Sequence, residues 1–157
     1  MKIRQLSFIV SLILLASCAT MPEGIQQARV AMSAKIQAEP PGDYYIGRRY
    51  YKQNYHFWGY VRRPGQPWNT AELVMLNENK KLAPDREQIN FGYDNNYEYK
   101  LYGRFSGDKV YEPASNGVYP EFVLTGYELI STNPAPIFKS QYSGSGGNRY
   151  QLIEKPE

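Results

Sequence analysis

The sequence predicts a mainly β fold: a small, curved antiparallel barrel preceded by one amphipathic helix. Three observations carry that expectation. Tyrosine is abundant, 15 residues against 6 Phe and 2 Trp, and Tyr favours strands and half-wet surfaces. Beyond residue 40 the apolar residues alternate in short runs separated by Pro, Gly, Asn and Asp clusters, the signature of strands and turns. Three strand-like runs carry an internal glycine, at Gly59, Gly103 and Gly126. Glycine weakens a flat strand but permits the bulges and coiling that a small barrel needs.

The elements follow in order. Residues 1–17 open with Lys2 and Arg4 and continue in an uncharged apolar run, Leu6 to Ala16. The run is too short to span a bilayer, which takes about 20 residues, and it suits the hydrophobic region of an export signal. Thr20-Met-Pro-Glu23 reads as a capping box. Ile25, Ala28, Met32 and Ile36 then recur near helical period, so a helix is expected over 21–38, ended by Pro40-Pro41-Gly42. Its polar face carries only Arg29 and Lys35, which favours packing on the domain over lying on a membrane.

Residues 44–63, "YYIGRRYYKQNYHFWGYVRR", read as one long strand or a bent pair. Its Arg48-Arg49 and Arg62-Arg63 pairs read as solvated strand positions, one of each pair outward. "PGQP" at 64–67 is a turn. Residues 71–77, "AELVMLN", form a central strand. Residues 78–96 are a long polar connection with one helical turn expected at 84–89. "YEYKLYGRF" at 97–105 is a strand, "SGD" at 106–108 reads as its turn, and Asn116-Gly117 marks a hairpin. "EFVLTGYELI" at 121–130 is the last strand. The Pro, Gly and Ser content of 131–157 predicts a flexible tail, with "YQLI" at 150–153 as a possible edge strand. The domain plan is therefore a leader (1–17), an anchor region, helix and linker (18–43), a β-barrel (44–130) and a tail (131–157). A five-stranded barrel with a bent first strand suggests an OB-like fold. "SGD" leaves no room for that fold's usual helix between strands three and four, so a sandwich or SH3-like barrel stays open.

Cys18 is the only cysteine. It lacks a partner for a disulfide or a metal, and the lone histidine, His56, supplies no motif for a catalytic thiol. The stretch "LASC" at 15–18, behind a charged start and a short apolar run, resembles the bacterial lipobox. That resemblance covers residues 1–18 only. It implies cleavage before Cys18, acylation of its sulfur and of the new amine, and export. Ala19, rather than Asp, implies sorting to the outer membrane in enteric-type bacteria. An ordinary export signal with a chance cysteine is the alternative. The layout is also similar to Slp-type outer-membrane lipoproteins, through "YYIG" at 44–47 and "FVLTGYEL" at 122–129. No catalytic residues come with that likeness.

Loss of Lys2 and Arg4 would take the formal charge of +3 to about +1, which gives no general attraction to nucleic acid. No nucleophile elbow, zinc cluster or phosphate loop is present. A calcium loop beginning at Asp94 fails at its sixth and twelfth positions, Tyr99 and Phe105. What remains is a surface. Alternation places Trp58, Tyr60 and Arg62 on one face of a strand, and Tyr102 and Arg104 on one face of another. If the faces adjoin, rings and guanidinium groups form a platform for a glycan or an anionic molecule. The plainer reading of these residues is cross-strand packing. The sequence thus leads to a non-enzymatic envelope lipoprotein without cofactor or metal. It would be held by acyl chains on Cys18 and engage an envelope protein or a glycan.

Overall fold

A computed structural model describes residues 23–143 and 153–157. The lipobox, Cys18, the Thr20 cap and most of "YQLI" lie outside those residues. Helix α1 spans Glu23–Gln37, and strands β1 (Tyr45–Arg49), β2 (Gly59–Arg62) and β3 (Glu72–Asn77) follow. The one-turn helix α2 (Pro84–Glu87) precedes the long strands β4 (Glu98–Glu112) and β5 (Gly117–Ser131), and α3 covers Lys139–Ser143. The strands close into a barrel in the order β1-β2-β3-β5-β4. All contacts are antiparallel except β3 with β5, which pair in parallel. This arrangement fits an OB-like barrel.

The stretch 44–63 is the bent pair. It folds back at Gln53-Asn54, and β2 starts only at Gly59. "SGD" is not a turn: β4 runs through it to Glu112, with a register irregularity against β5 between Phe105 and Lys109. The strand count therefore shifts, and the connection between β3 and β4 is residues 78–97, where α2 supplies the single helical turn expected there. The hairpin at Asn116-Gly117 is present, but its turn occupies 113–116. Asn116 takes a left-handed φ of 51° while Gly117 already pairs with Glu112. The buried Glu112 carboxylate closes this turn by accepting from the Ala114 and Ser115 amides at 3.1 and 2.6 Å.

Two apolar clusters divide the molecule. One fills the barrel: Tyr45, Trp58, Val61, Val74, Tyr99, Leu101, Phe122 and Leu124. Edge-on contacts of Tyr45 and Phe105 with Phe122, at 5.0 and 5.4 Å, order its centre. The other lies outside the β1–β2–β3 wall and is closed by α1 and the described parts of the C-terminal segment. Ile36 of α1 packs there with Met32 at its margin, beside Tyr44, Ile46, Tyr60 and Trp68. The second half of the helical stripe, Met32 and Ile36, is thus spent on the barrel, while Ile25 and Ala28 stay half-buried outside both clusters.

In the described parts of the C-terminal segment, residues 131–143 and 153–157, side chains are packed on the barrel where a loose tail is expected; residues 144–152 lie outside the described residues. Ile137 and Phe138 are buried in the outer cluster, and Pro156 is buried too. Tyr60 donates its hydroxyl to the Glu154 carbonyl at 2.6 Å. Glu154 also accepts from the Ser140 amide and hydroxyl, at 2.8 and 2.5 Å. Glu157 bonds its amide to the Ile137 carbonyl at 2.9 Å and its carboxylate pairs with Arg29 of α1. Proline removes regular backbone pairing here, and side-chain burial and these bonds replace it.

Two of the mid-strand glycines are required by close approach. A Cβ on Gly59 would lie 2.2 Å from the Arg48 carbonyl oxygen, and one on Gly103 would lie 2.2 Å from that of Val123. Gly103 also holds a φ of 150° at a bulge opposite β5 and faces Phe122 in the barrel cluster. Gly126 has ordinary room, with its nearest neighbour 3.5 Å away. Gly103→Val is expected to cost about 3 kcal/mol, the upper end for overpacking, because a backbone oxygen cannot step aside. Tyr102→Ala, which loses a half-exposed ring and a 2.6 Å bond to Glu128, should cost only about 1 kcal/mol. Urea melts of the two variants measure the difference; equal midpoints would contradict the inward assignment of Gly103.

Candidate functional site

Strand alternation would give one of Arg48 and Arg49 to each side of β1, and it gives one of each pair to a different burial problem. Arg48, Arg49 and Arg62 are all buried, and only Arg63 is exposed. For Arg48, Arg49 and Arg62 the solvated reading is corrected: each of these buried guanidinium groups has a carboxylate brought from elsewhere in the chain.

Arg49 closes one end of the barrel. Its Nη2 lies 2.7 Å from Asp85 and its Nε 3.3 Å from Asp94, and it donates to the Trp58 carbonyl. Asp85 accepts from the Gly92 amide at 3.1 Å, and Asp94 from the Tyr99 hydroxyl at 3.1 Å. Burial pushes the Asp94 carboxyl above the usual aspartate range, more than the Arg49 charge draws it down. Loss of water around a charge outweighs one ion pair shared between two carboxylates.

A cleft of about 460 Å³ opens on this end. Tyr51, Tyr55, His56 and Phe57 from the β1–β2 loop line one side, and Glu78, Asp85, Arg86 and Phe91 from the β3–β4 connection the other. Phe57 is stacked between Tyr50, at 5.8 Å and 12°, and Tyr55, at 5.2 Å and 15°. The half-exposed Tyr55 is therefore a ring backed by two others. Arg86 lies 3.3 Å from Glu78 and 5.7 Å from the centre of the Phe91 ring. Both arginines of the cleft are thus matched by carboxylates. Among the described residues no set of three His, Cys, Asp or Glu could hold a metal.

The sequence-predicted platform does not assemble. Trp58 is in the barrel cluster, since it precedes β2 and strand alternation does not reach it. Tyr60 and Arg62 lie on the outer wall beneath the chain ends, Tyr102 is half-exposed on β4, and Arg104 is exposed. β1 stands between β2 and β4, and Tyr102 and Tyr60 meet only as members of the outer apolar cluster. His56 is exposed on the loop while Trp58 is buried, so the two do not share a face. Sequence reasoning missed Tyr55, Phe91, Arg49 and Asp85, because only the fold brings the β1–β2 loop to the β3–β4 connection.

The fold also places an unusual residue beside the cleft. The Ile89 amide bonds to the Arg86 carbonyl at 3.2 Å and the Asn90 amide to the Asp85 carbonyl at 3.0 Å. This is the pairing of a Schellman motif, with Ile89 at the left-handed position normally held by Gly. Its φ is 50° and it is 82 % exposed.

Comparison with known proteins finds no matching family model, no matching curated protein and no matching solved structure.

The raised Asp94 sets a pH dependence. A carboxyl raised in the folded state stabilises in acid, and that stabilisation is lost as pH rises through its folded value. Asp94→Asn should therefore gain on wild type as pH rises from acid to neutral, leaving Arg49 paired with Asp85 alone. Thermal melts across that window check it; a variant that loses ground with rising pH would show the Asp94 carboxyl to be held low.

Proposed function

We propose that the chain is a lipid-anchored component of a bacterial cell envelope, held at the outer membrane through acyl chains on Cys18. Its barrel serves a non-enzymatic, structural or partner-binding role. The observation that carries this reading is the spacing between lipobox and fold: α1 begins at Glu23, five positions after Cys18. Five residues span at most about 17 Å, and α1 is packed on the barrel through Met32 and Ile36. An acyl anchor at Cys18 would hold the folded domain at the bilayer surface rather than on a long tether. Several acyl chains, each adding about 0.8 kcal/mol per buried methylene, make such an anchor stable.

A second reading rests on the Tyr50–Phe57–Tyr55 ladder beside the cleft: binding of a glycan. Arg49 and Arg86 are matched by Asp85, Asp94 and Glu78, which favours a neutral saccharide over the anionic molecule.

Cys18→Ser should leave the membrane fraction, or accumulate as uncleaved precursor, and lack acyl mass by mass spectrometry. Unmodified Cys18 in a wild-type chain cut elsewhere would overturn the anchor. Titration of the released domain with neutral oligosaccharides, with Tyr55→Ala as control, tests the second reading; equal behaviour of the two would remove it.

A further inference from the structure

The two walls of the cleft at the barrel end each present one supported ring. On the β1–β2 side this is Tyr55, half-exposed and stacked on Phe57 at 5.2 Å. On the β3–β4 side it is Phe91, 58 % exposed, with the Arg86 guanidinium over its ring at 5.7 Å. Both rings line the same cleft of about 460 Å³, a size suited to a small ligand.

The walls are joined beneath these rings. The Tyr51 amide donates to the Asn95 side-chain oxygen at 2.9 Å, and the Gly92 amide to Asp85 at 3.1 Å. Asp85 is itself held by the buried Arg49. Gly92 lies so close to the Tyr51 ring that a Cβ would come within 2.3 Å of it. Its φ of 73° turns the chain at that point, and Phe91, the residue before it, stays in the cleft wall outside both apolar clusters. Walls held in this way before a ligand arrives lose little freedom on binding it.

The lining sets the chemistry of the ligand. Arg49 and Arg86 are matched by carboxylates, which favours a neutral molecule. A ring on each wall calls for a ligand that is apolar on both faces. Gln53 and His56, exposed in the same cleft, call for polar groups around its edge. A pyranose with every hydroxyl equatorial meets both demands: axial C–H bonds cover its two faces, and its hydroxyls radiate from the rim. An axial hydroxyl would press an unpaired oxygen against one of the rings. Equatorial linkage at C1 and C4 keeps both faces free where the chain runs on out of the cleft. We infer that the cleft clamps a β-1,4-linked saccharide of gluco configuration between Tyr55 and Phe91. The inference rests on the glycan reading above; it adds Phe91 as the second stacking ring and fixes the stereochemistry of the sugar.

Cellotetraose and β-1,4-mannotetraose provide the test, because they share length and linkage and differ in the 2-hydroxyl, which is axial in mannose. One ring stacks on either sugar; two opposed rings accept only the first. Affinities are measured by calorimetry on the full-length chain in a detergent without a sugar headgroup. Wild type is expected to bind cellotetraose about tenfold more tightly than mannotetraose. Phe91→Ala should weaken cellotetraose to the mannotetraose level and so remove the preference. Equal affinity of wild type for the two, a preference for mannotetraose, or a Phe91→Ala chain that behaves as wild type overturns the clamp and leaves stacking on Tyr55 alone. Binding of neither tetraose also overturns it. A panel of other neutral oligosaccharides then separates the two failures: binding there keeps the glycan reading, and its absence removes that reading as well.

Discussion

The outer wall of the barrel is organised by two guanidinium groups packed against one indole. Arg62 lies 4.5 Å and Arg48 5.2 Å from the centre of the Trp68 ring. Both side chains are 1 % exposed. Cation–π attraction of about 2 kcal/mol at a desolvated site does not offset the loss of water around two charges. Carboxylates must be delivered, and they come from different elements. Glu98 at the start of β4 meets Arg48 at 2.7 Å, and Glu39 after α1 meets Arg62 with both oxygens. The Ala135 carbonyl and the Asn96 side-chain oxygen also accept from Arg48, at 3.0 and 3.2 Å. Burial of these arginines therefore requires the helix on one side and the C-terminal segment on the other.

The same logic operates inside. Arg49 follows Arg48 on β1 and points into the barrel, where Asp85 and Asp94 hold it. The carboxylates belong to the β3–β4 connection, so the ion cluster fixes a loop that has little regular structure. The loop in turn forms one wall of the aromatic cleft and carries Ile89 and Phe91 into solvent. Adjacent arginines on one strand thus pin two different surfaces, the outer wall and the barrel end, and the aromatic cleft depends on the second.

The fold was legible where the physics is local. A short apolar run marked β3, alternation marked β4, Asn116-Gly117 marked the hairpin, and Ile25, Ala28, Met32 and Ile36 marked α1. Gly103 signalled a curved wall because nothing larger fits beside the Val123 carbonyl. The site was not legible, because charge alone reads as solvation. Arg49 meets its carboxylates 36 and 45 residues away, and no short window contains both partners. Trp58 was misplaced because the strand begins one residue after it. Residues 137 and 138 were not legible for a related reason: the proline content around them speaks against regular structure, but Ile137 and Phe138 need only a surface, and the outer face of β1 and β2 supplies it.

The central claim is that α1 and the C-terminal segment complete the outer wall over the stacked arginines. A chain ending at Asn133 tests it most directly, because it keeps every barrel strand and removes only the covering segment. Thermal unfolding should show a midpoint lower by about 10 °C or more, given the loss of two buried apolar side chains worth about 1.5–3 kcal/mol each. An unchanged midpoint would mean that the barrel wall stands without its cover, and would contradict the account.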